Sequence, residues 1–350
     1  MQPQQLQRLG TVTIFLVLLV PFGAFLVYLN WHPGIEPERH DWIPRSTEPA
    51  PEGLTLMWLG AAGVYVSDGD TALLIDGFFT RPRLTRIVFG ELEPDPERIR
   101  AALEKAGIKE LDAVIATHAH FDHALDAPWI AEHFNALLLG SSSVANLARG
   151  QGLAEALIRE VDDGASFRMG EFRLRFPRSK HVPLPPLFAR LAGADRSIER
   201  PLVLPAPARD FHGGPHRAVH LAHPRGKVLI QASAGHEPGA LTGLDTDVIL
   251  TSVAGLEKQS QTYQSEFVQH GLQASQPEWV LPMDWDHLAR PVSGDAPPQP
   301  LLLGNVRGSL RVLEQALEDA AARVRLTRPL WRLRLVGSGQ DMELLHDPSS

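Results

Sequence analysis

The chain of 350 residues contains no cysteine. A metal, if one is bound, must therefore be held by His, Asp or Glu, because thiolate ligands are unavailable. The absence is also compatible with an oxidising compartment. Aromatic residues are sparse, and positive charge is in deficit, with a formal net charge of −8. Nucleic-acid binders carry a basic footprint, so no nucleic-acid partner is expected. No short fixed repeat is present. What the chain does have is glycine and proline, 29 of each, as suits a loop-rich α/β protein.

Charged residues are missing between Arg8 and Glu36, and residues 11–29 are almost wholly apolar. A helix rising ~1.5 Å per residue needs about 20 such residues to cross a bilayer. Pro21 and Gly23 are tolerable there. The apolar core of a cleaved signal peptide is shorter, about 7–15 residues, and ends at small residues. This run ends instead in Val27-Tyr28-Leu29-Asn30-Trp31, with aromatics suited to a membrane interface. Residues 1–30 are thus expected to be a cytoplasmic stub and transmembrane anchor. Arg8 lies on the short side and Glu36 and Glu38 on the other. The positive-inside rule then places the folded domain outside, which in a Gram-negative cell is the periplasmic face of the inner membrane. Residues 31–53, with Pro33, Pro37, Pro44, Pro49 and Pro51, read as a Pro-rich tether. One domain is expected over 54–340, followed by a tail at 341–350.

The densest chemistry lies in Thr117-His118-Ala119-His120-Phe121-Asp122-His123, directly after the apolar run 111–116. That run reads as a buried strand, and open α/β folds place their chemistry at the C-terminal ends of strands. His118 and His120 are two apart, so in extended chain both rings face one way and can grip one ion. Asp122 and His123 follow where the chain must turn, and suit a second ion of zinc, iron or manganese. Four polar groups gathered in a partly buried site are costly unless an ion compensates them.

His-x-His-x-Asp-His after an apolar strand resembles the signature of the metallo-β-lactamase superfamily. Leu54 to Asp76, LTLMWLGAAGVYVSDGDTALLID, is similar to that fold's opening hairpin. The wording resembles the branch containing ascorbate-phosphate lactonases and N-acyl-phosphatidylethanolamine phospholipase D. The resemblance implies an α/β fold, a four-layer αβ/βα sandwich over about residues 54–340. It implies that His181, just after a strand, completes a three-histidine site with His118 and His120. In that branch the last ligand of the second metal falls at the place of Asp284, with His287 as a competing candidate. It also implies a departure: many members carry a metal-bridging aspartate where this chain has Ser233, whose hydroxyl is a poor metal ligand and brings no charge.

Elsewhere the pattern predicts strands at 54–59, 63–66, 71–75, 136–139, 228–230, 247–250 and 331–336. It predicts a hairpin over 164–176. Helices are predicted from Asp95-Pro96-Glu97 with Gly107 as terminator, over 127–134 and 262–271, and from a Ser309 cap. The insertion 183–210 is expected to pack on the core. Asp76 is read either as a turn carboxylate or as a group orienting a ligand histidine. His216, His220 and His223 are expected to be surface strand histidines.

These readings point to a membrane-anchored hydrolase holding one or two Zn2+ ions, with manganese or iron also suited to the ligands. Asp122 is the candidate catalytic group, binding the second ion or orienting the attacking water. The bond class is an ester, lactone, amide or phosphodiester, in a small-molecule or lipid-derived substrate. The alternative is a membrane-tethered binding or sensing module with a degenerate site, motivated by Ser233 and Asp284.

Overall fold

The computed structural model describes residues 40–184, 196–301, 303–318, 320–337 and 342–348, with isolated residues at 23, 27, 31, 34, 35 and 189. A first sheet opens with an antiparallel meander, β1 (Leu54–Trp58), β2 (Val64–Ser67) and β3 (Ala72–Ile75). It continues in parallel through β4 (Ala113–Ile115), β5 (Leu137–Gly140) and β6 (Ile158–Glu160). Parallel strands need crossovers, and helices Pro96–Lys105, Ala127–Phe134 and Ser142–Gly150 supply them.

A second sheet is built from β7 (Ser166–Met169), β8 (Phe172–Arg175), β11 (Val219–His223), β12 (Gly226–Gln231), β13 (Val248–Ser252), β14 (Trp279–Met283) and β15 (Arg323–Val324). Between β8 and β11, β9 (Arg178–Ser179) and β10 (His216–Arg217) form a separate two-stranded pair. The chain then returns to the first sheet with β16 (Arg332–Val336) and β17 (Glu343–Asp347), giving the order β17-β16-β1-β2-β3-β4-β5-β6.

Strand alternation divides the core. Leu73, Ile75, Ala113 and Ile115 pack with Leu174, Leu221, Leu229 and Leu250 of the second sheet. Leu74 and Val114, one residue out of phase, pack instead with Ile99, Leu103, Ile130 and Leu147 of the outer helices. Strands buried on both faces read as continuous apolar runs, which is why ALLI and AVI show no polar alternation. The helix Val306–Leu317 joins the first of these clusters through Leu310, Leu313 and Leu317. The two sheets and their helices accord with the expected sandwich.

Several local expectations change. The last helix is capped by Asn305, whose side chain accepts from the Gly308 amide at 3.2 Å. Ser309 lies inside that helix and donates to Glu257 at 2.7 Å. The segment expected as one helix over 262–271 is α-helical at Gln261–Glu266 and continues as a π-helix over Phe267–Leu272. Residues 40–48, expected within the tether, lie on the domain: Ile43 is buried and its amide donates to Leu326 O. The expected C-terminal tail contains β17, which pairs antiparallel with β16.

Among the described residues no helix is long and apolar enough to cross a membrane. The apolar run at 11–29 lies outside the described residues except for Gly23 and Val27, and the insertion at 183–210 is described only in part.

Candidate metal centre

β4 ends at Ile115, and the chain leaves the sheet at Thr117. There Asp76, at the end of β3, catches it: the Thr117 amide donates to one carboxylate oxygen at 2.8 Å and its hydroxyl to the other at 2.6 Å. The Thr117 hydroxyl lies 3.1 Å from His118 Nδ1. As that hydroxyl donates to Asp76, it accepts from the imidazole, and His118 Nε2 is left with its lone pair.

His118 Nε2 lies 3.1 Å from His120 Nδ1. One nitrogen from each of His118, His120 and His181 falls within 4.8 Å of the others. His181 arrives from the far side, after β9. Its Nδ1 donates to Val182 O at 2.7 Å, which makes Nε2 the acceptor nitrogen of the ring. Gly235 lets the two segments meet: a Cβ there would stand 1.8 Å from Lys180 O. Burial first, then the neighbouring imidazoles, holds His118 well below the ordinary histidine range. His120 is held down in the same way, burial leading and His181 following. Both rings are therefore neutral, the form that ligates a cation. Nitrogens each ~2.0–2.1 Å from one tetrahedral ion would sit about 3.3–3.4 Å apart, close to the 3.1 Å between His118 Nε2 and His120 Nδ1. The donor set fits a borderline-soft divalent ion.

The other half of the centre is acidic. The helical turn Phe121–Ala124 presents Asp122 and His123. His123 Nδ1 donates to Asp76 at 2.9 Å, and its Nε2 lies 3.6 Å from Asp122 Oδ2. Burial opposes its cation, but the carboxylates of Asp122 and Asp76 prevail and raise its pKa to about 9. Asp284 follows β14 with φ +61°, in the left-handed region, and accepts from Ser252 Oγ at 2.8 Å. Burial pushes its pKa up to about 7; the charges of His123 and Asp122 both act on it. The structure thus brings Asp284 to the His123 and Asp122 side. His287 instead accepts from the Ala289 amide through Nδ1 at 3.1 Å, and its carbonyl faces Arg81.

A profile described as "Metallo-beta-lactamase superfamily" matches residues 58–239, just over half of the chain. The chain belongs to the metallo-beta-lactamase superfamily. A UPF0173 protein of Pyrococcus furiosus is 27% identical over 128 residues, which cover 37% of this chain and 50% of that protein. A "UPF0173 metal-dependent hydrolase" of Myxococcus xanthus is 28% identical over 124 residues, covering 35% and 37%. The chain therefore spans half or less of the length of these curated relatives. Among solved structures, Igni18, "a novel metallo hydrolase" of Ignicoccus hospitalis, aligns with TM-score 0.50 at 13% identity over 81% of this chain and 99% of its own. A "possible metal-dependent hydrolase" of Veillonella parvula aligns with TM-score 0.50 at 14% identity over 81% and 100%. At these identities the structural likeness is one of fold.

Against the metallo-beta-lactamase pattern, Ser233 is the visible departure. Its hydroxyl accepts from the Val182 amide at 2.9 Å, so it braces the His181 loop. The expectation of surface histidines on β10 and β11 is overturned. His216, His220 and His223 are all buried. His216 stacks on His118 with ring centroids 4.2 Å apart. Sequence alternation assigns it a strand face, but only the tertiary fold lays that strand beside residues 117–119. His223 Nε2 pairs with Asp68 at 3.1 Å while Nδ1 accepts from the Arg225 amide, which satisfies both nitrogens without a metal.

Proposed function

We propose that this protein is a membrane-anchored, metal-dependent hydrolase. It cleaves an ester, lactone, amide or phosphodiester bond with a metal-activated water. The observation that carries the reading is the convergence of the imidazoles of His118, His120 and His181, one nitrogen of each within 4.8 Å of the others, beside Asp122, His123 and Asp284. His118, His120 and His181 would hold the first ion, and Asp122, Asp284 and His123, which would release its Nε2 proton to bind, a second. Zinc is the ion proposed, and manganese or iron suits the same donors. Bound zinc supplies a water whose pKa is lowered from 15.7 to about 7. Asp122 would orient that water or hold the second ion. Asp76 fixes the ring of His123 and the start of the loop. The printed description of the Myxococcus relative as a metal-dependent hydrolase supports the same class.

The apolar run at 11–29 supports a single-pass anchor in the inner membrane, with the domain on the periplasmic side. An anchored enzyme works beside lipid, which favours a lipid-derived substrate. The test is metal analysis of the purified protein followed by a screen over ester, lactone and phosphodiester substrates. His120→Ala is expected to lose both metal and turnover; retention of both refutes the reading. Ser233 favours a second reading, a tethered binding module with a degenerate site. Substoichiometric metal and no turnover in the wild type would support that instead.

A further inference from the structure

One buried group beside the centre has no role in the reading above. The His216 ring lies 4.2 Å from His118, 5.5 Å from His181 and 5.9 Å from His120, centroid to centroid. The three convergent histidines are themselves 4.8–5.7 Å apart by the same measure. Backbone bonds build this placement. The Ala119 amide donates to Gly213 O at 2.9 Å and the Arg217 amide to Thr117 O at 3.0 Å, so residues 213–217 run along the segment that carries His118. On its other side His216 pairs with Ser179, two residues before His181.

The two ring nitrogens of His216 are not equivalent. The ring hydrogen-bonds the Gly214 backbone, while Nε2 is sealed from solvent and has no hydrogen-bond partner among the described residues. Nδ1 therefore carries the hydrogen, and Nε2 presents a bare lone pair inside a cluster of imidazoles. A buried acceptor without a donor is destabilising unless something outside the chain meets it. The negative ligand that the family resemblance implies is missing at Ser233, and that hydroxyl is occupied by Val182.

We propose that His216 is a further nitrogen donor of the metal centre, engaging a divalent cation through Nε2 on the His118 side. The proposal rests on the metallo-hydrolase reading. His216 lies outside the set whose nitrogens fall within 4.8 Å of one another, so its ring must move toward His118 when the cation binds.

The experiment titrates cobalt(II) into metal-free full-length protein, as wild type, His216→Gln and His216→Ala. It reads the visible cobalt absorption band and competition against a chromophoric chelator. Both variants are expected to bind cobalt about 10-fold or more weakly with an altered band. Free imidazole should restore the band in His216→Ala. Variants with wild-type affinity and band overturn the proposal. So does an altered His216→Ala band that imidazole leaves unchanged, the result a packing role alone gives. Should His216→Ala fail to fold by circular dichroism, the Gln variant decides through affinity and band. A wild type that takes up no cobalt overturns both this proposal and the hydrolase reading. Cobalt uptake that is indifferent to residue 216 overturns the proposal alone.

Discussion

Asp76 is fully buried and joins two halves of the centre with one carboxylate. One oxygen accepts from the Thr117 amide, the other from the Thr117 hydroxyl and His123 Nδ1. Asparagine has the same size but would turn a donor toward one of those donors. Asp76→Asn is expected to weaken metal binding by about 10–100-fold, as loss of groups that orient ligands does. Chelator competition on the folded variant measures this, and unchanged affinity would show that His123 needs no orienting partner. The candidate ligands His118, His120, Asp122 and His123 stood out in the sequence because they sit within six residues behind an apolar strand, and the structure brings His118 and His120 together with His181. Asp76 was only half legible. It stands 41 residues from Thr117, and a turn carboxylate and an orienting one look alike until the strands are paired. His216 was not legible, since nothing in its own neighbourhood records which segment it lies against.

The loops that close the centre are pinned by buried charge. Arg81 and Asp286 pair at 3.0 Å with both side chains buried, and Asp286 also accepts from the Ala61 amide at 2.6 Å. Gly60, at φ +79°, leaves room: a Cβ would stand 2.5 Å from the Arg81 guanidinium. The adjoining loop is gathered by Asp126, which accepts from the Phe79 and Thr80 amides and the Thr80 hydroxyl. Burial raises its pKa from 3.8 to about 6, against the opposing pull of those donors. A carboxyl whose pKa is higher folded than unfolded stabilises fully below about pH 4, and that contribution is lost as pH rises through about 6. The size is about 3 kcal/mol. Thermal unfolding of the metal-free protein between pH 4 and 7 checks it. The wild type should lose ground against Asp126→Asn as pH rises, and a constant gap between the two would refute the assignment. At this scale most strands and the Ala127–Phe134 helix were readable from periodicity and Pro or Gly punctuation. The Asn305 cap was missed because Ser309 also suits a cap by type, and only its bond to Glu257 separates the two.

The whole molecule is closed by segments that composition alone does not assign to it. Proline-rich sequence before residue 54 reads as a tether, yet its last part is bound to the domain. Trp42 meets Trp285 edge to face at 6.5 Å, beside the loop that carries Asp284. Asp41 pairs with Arg325 at 2.8 Å, and Ile43 is 3% exposed in the core between the sheets. Proline restricts a chain whether it is free or docked, so the docking partners, all beyond residue 280, were invisible in local sequence. Removing residues 1–30 is therefore expected to leave the fold and the metal content intact. Removing residues 1–53 should strip Ile43 and Trp42 from their contacts and cost about 3–5 kcal/mol, by analogy with loss of large buried side chains. For a domain of this size that is a fall of about 5–15 °C in Tm. Because Trp42 touches Trp285, metal affinity should fall with it, through loosening of Asp284. Differential scanning calorimetry and metal analysis of the two truncations decide the matter. Equal melting temperatures would mean that the strap is carried by the domain without supporting it.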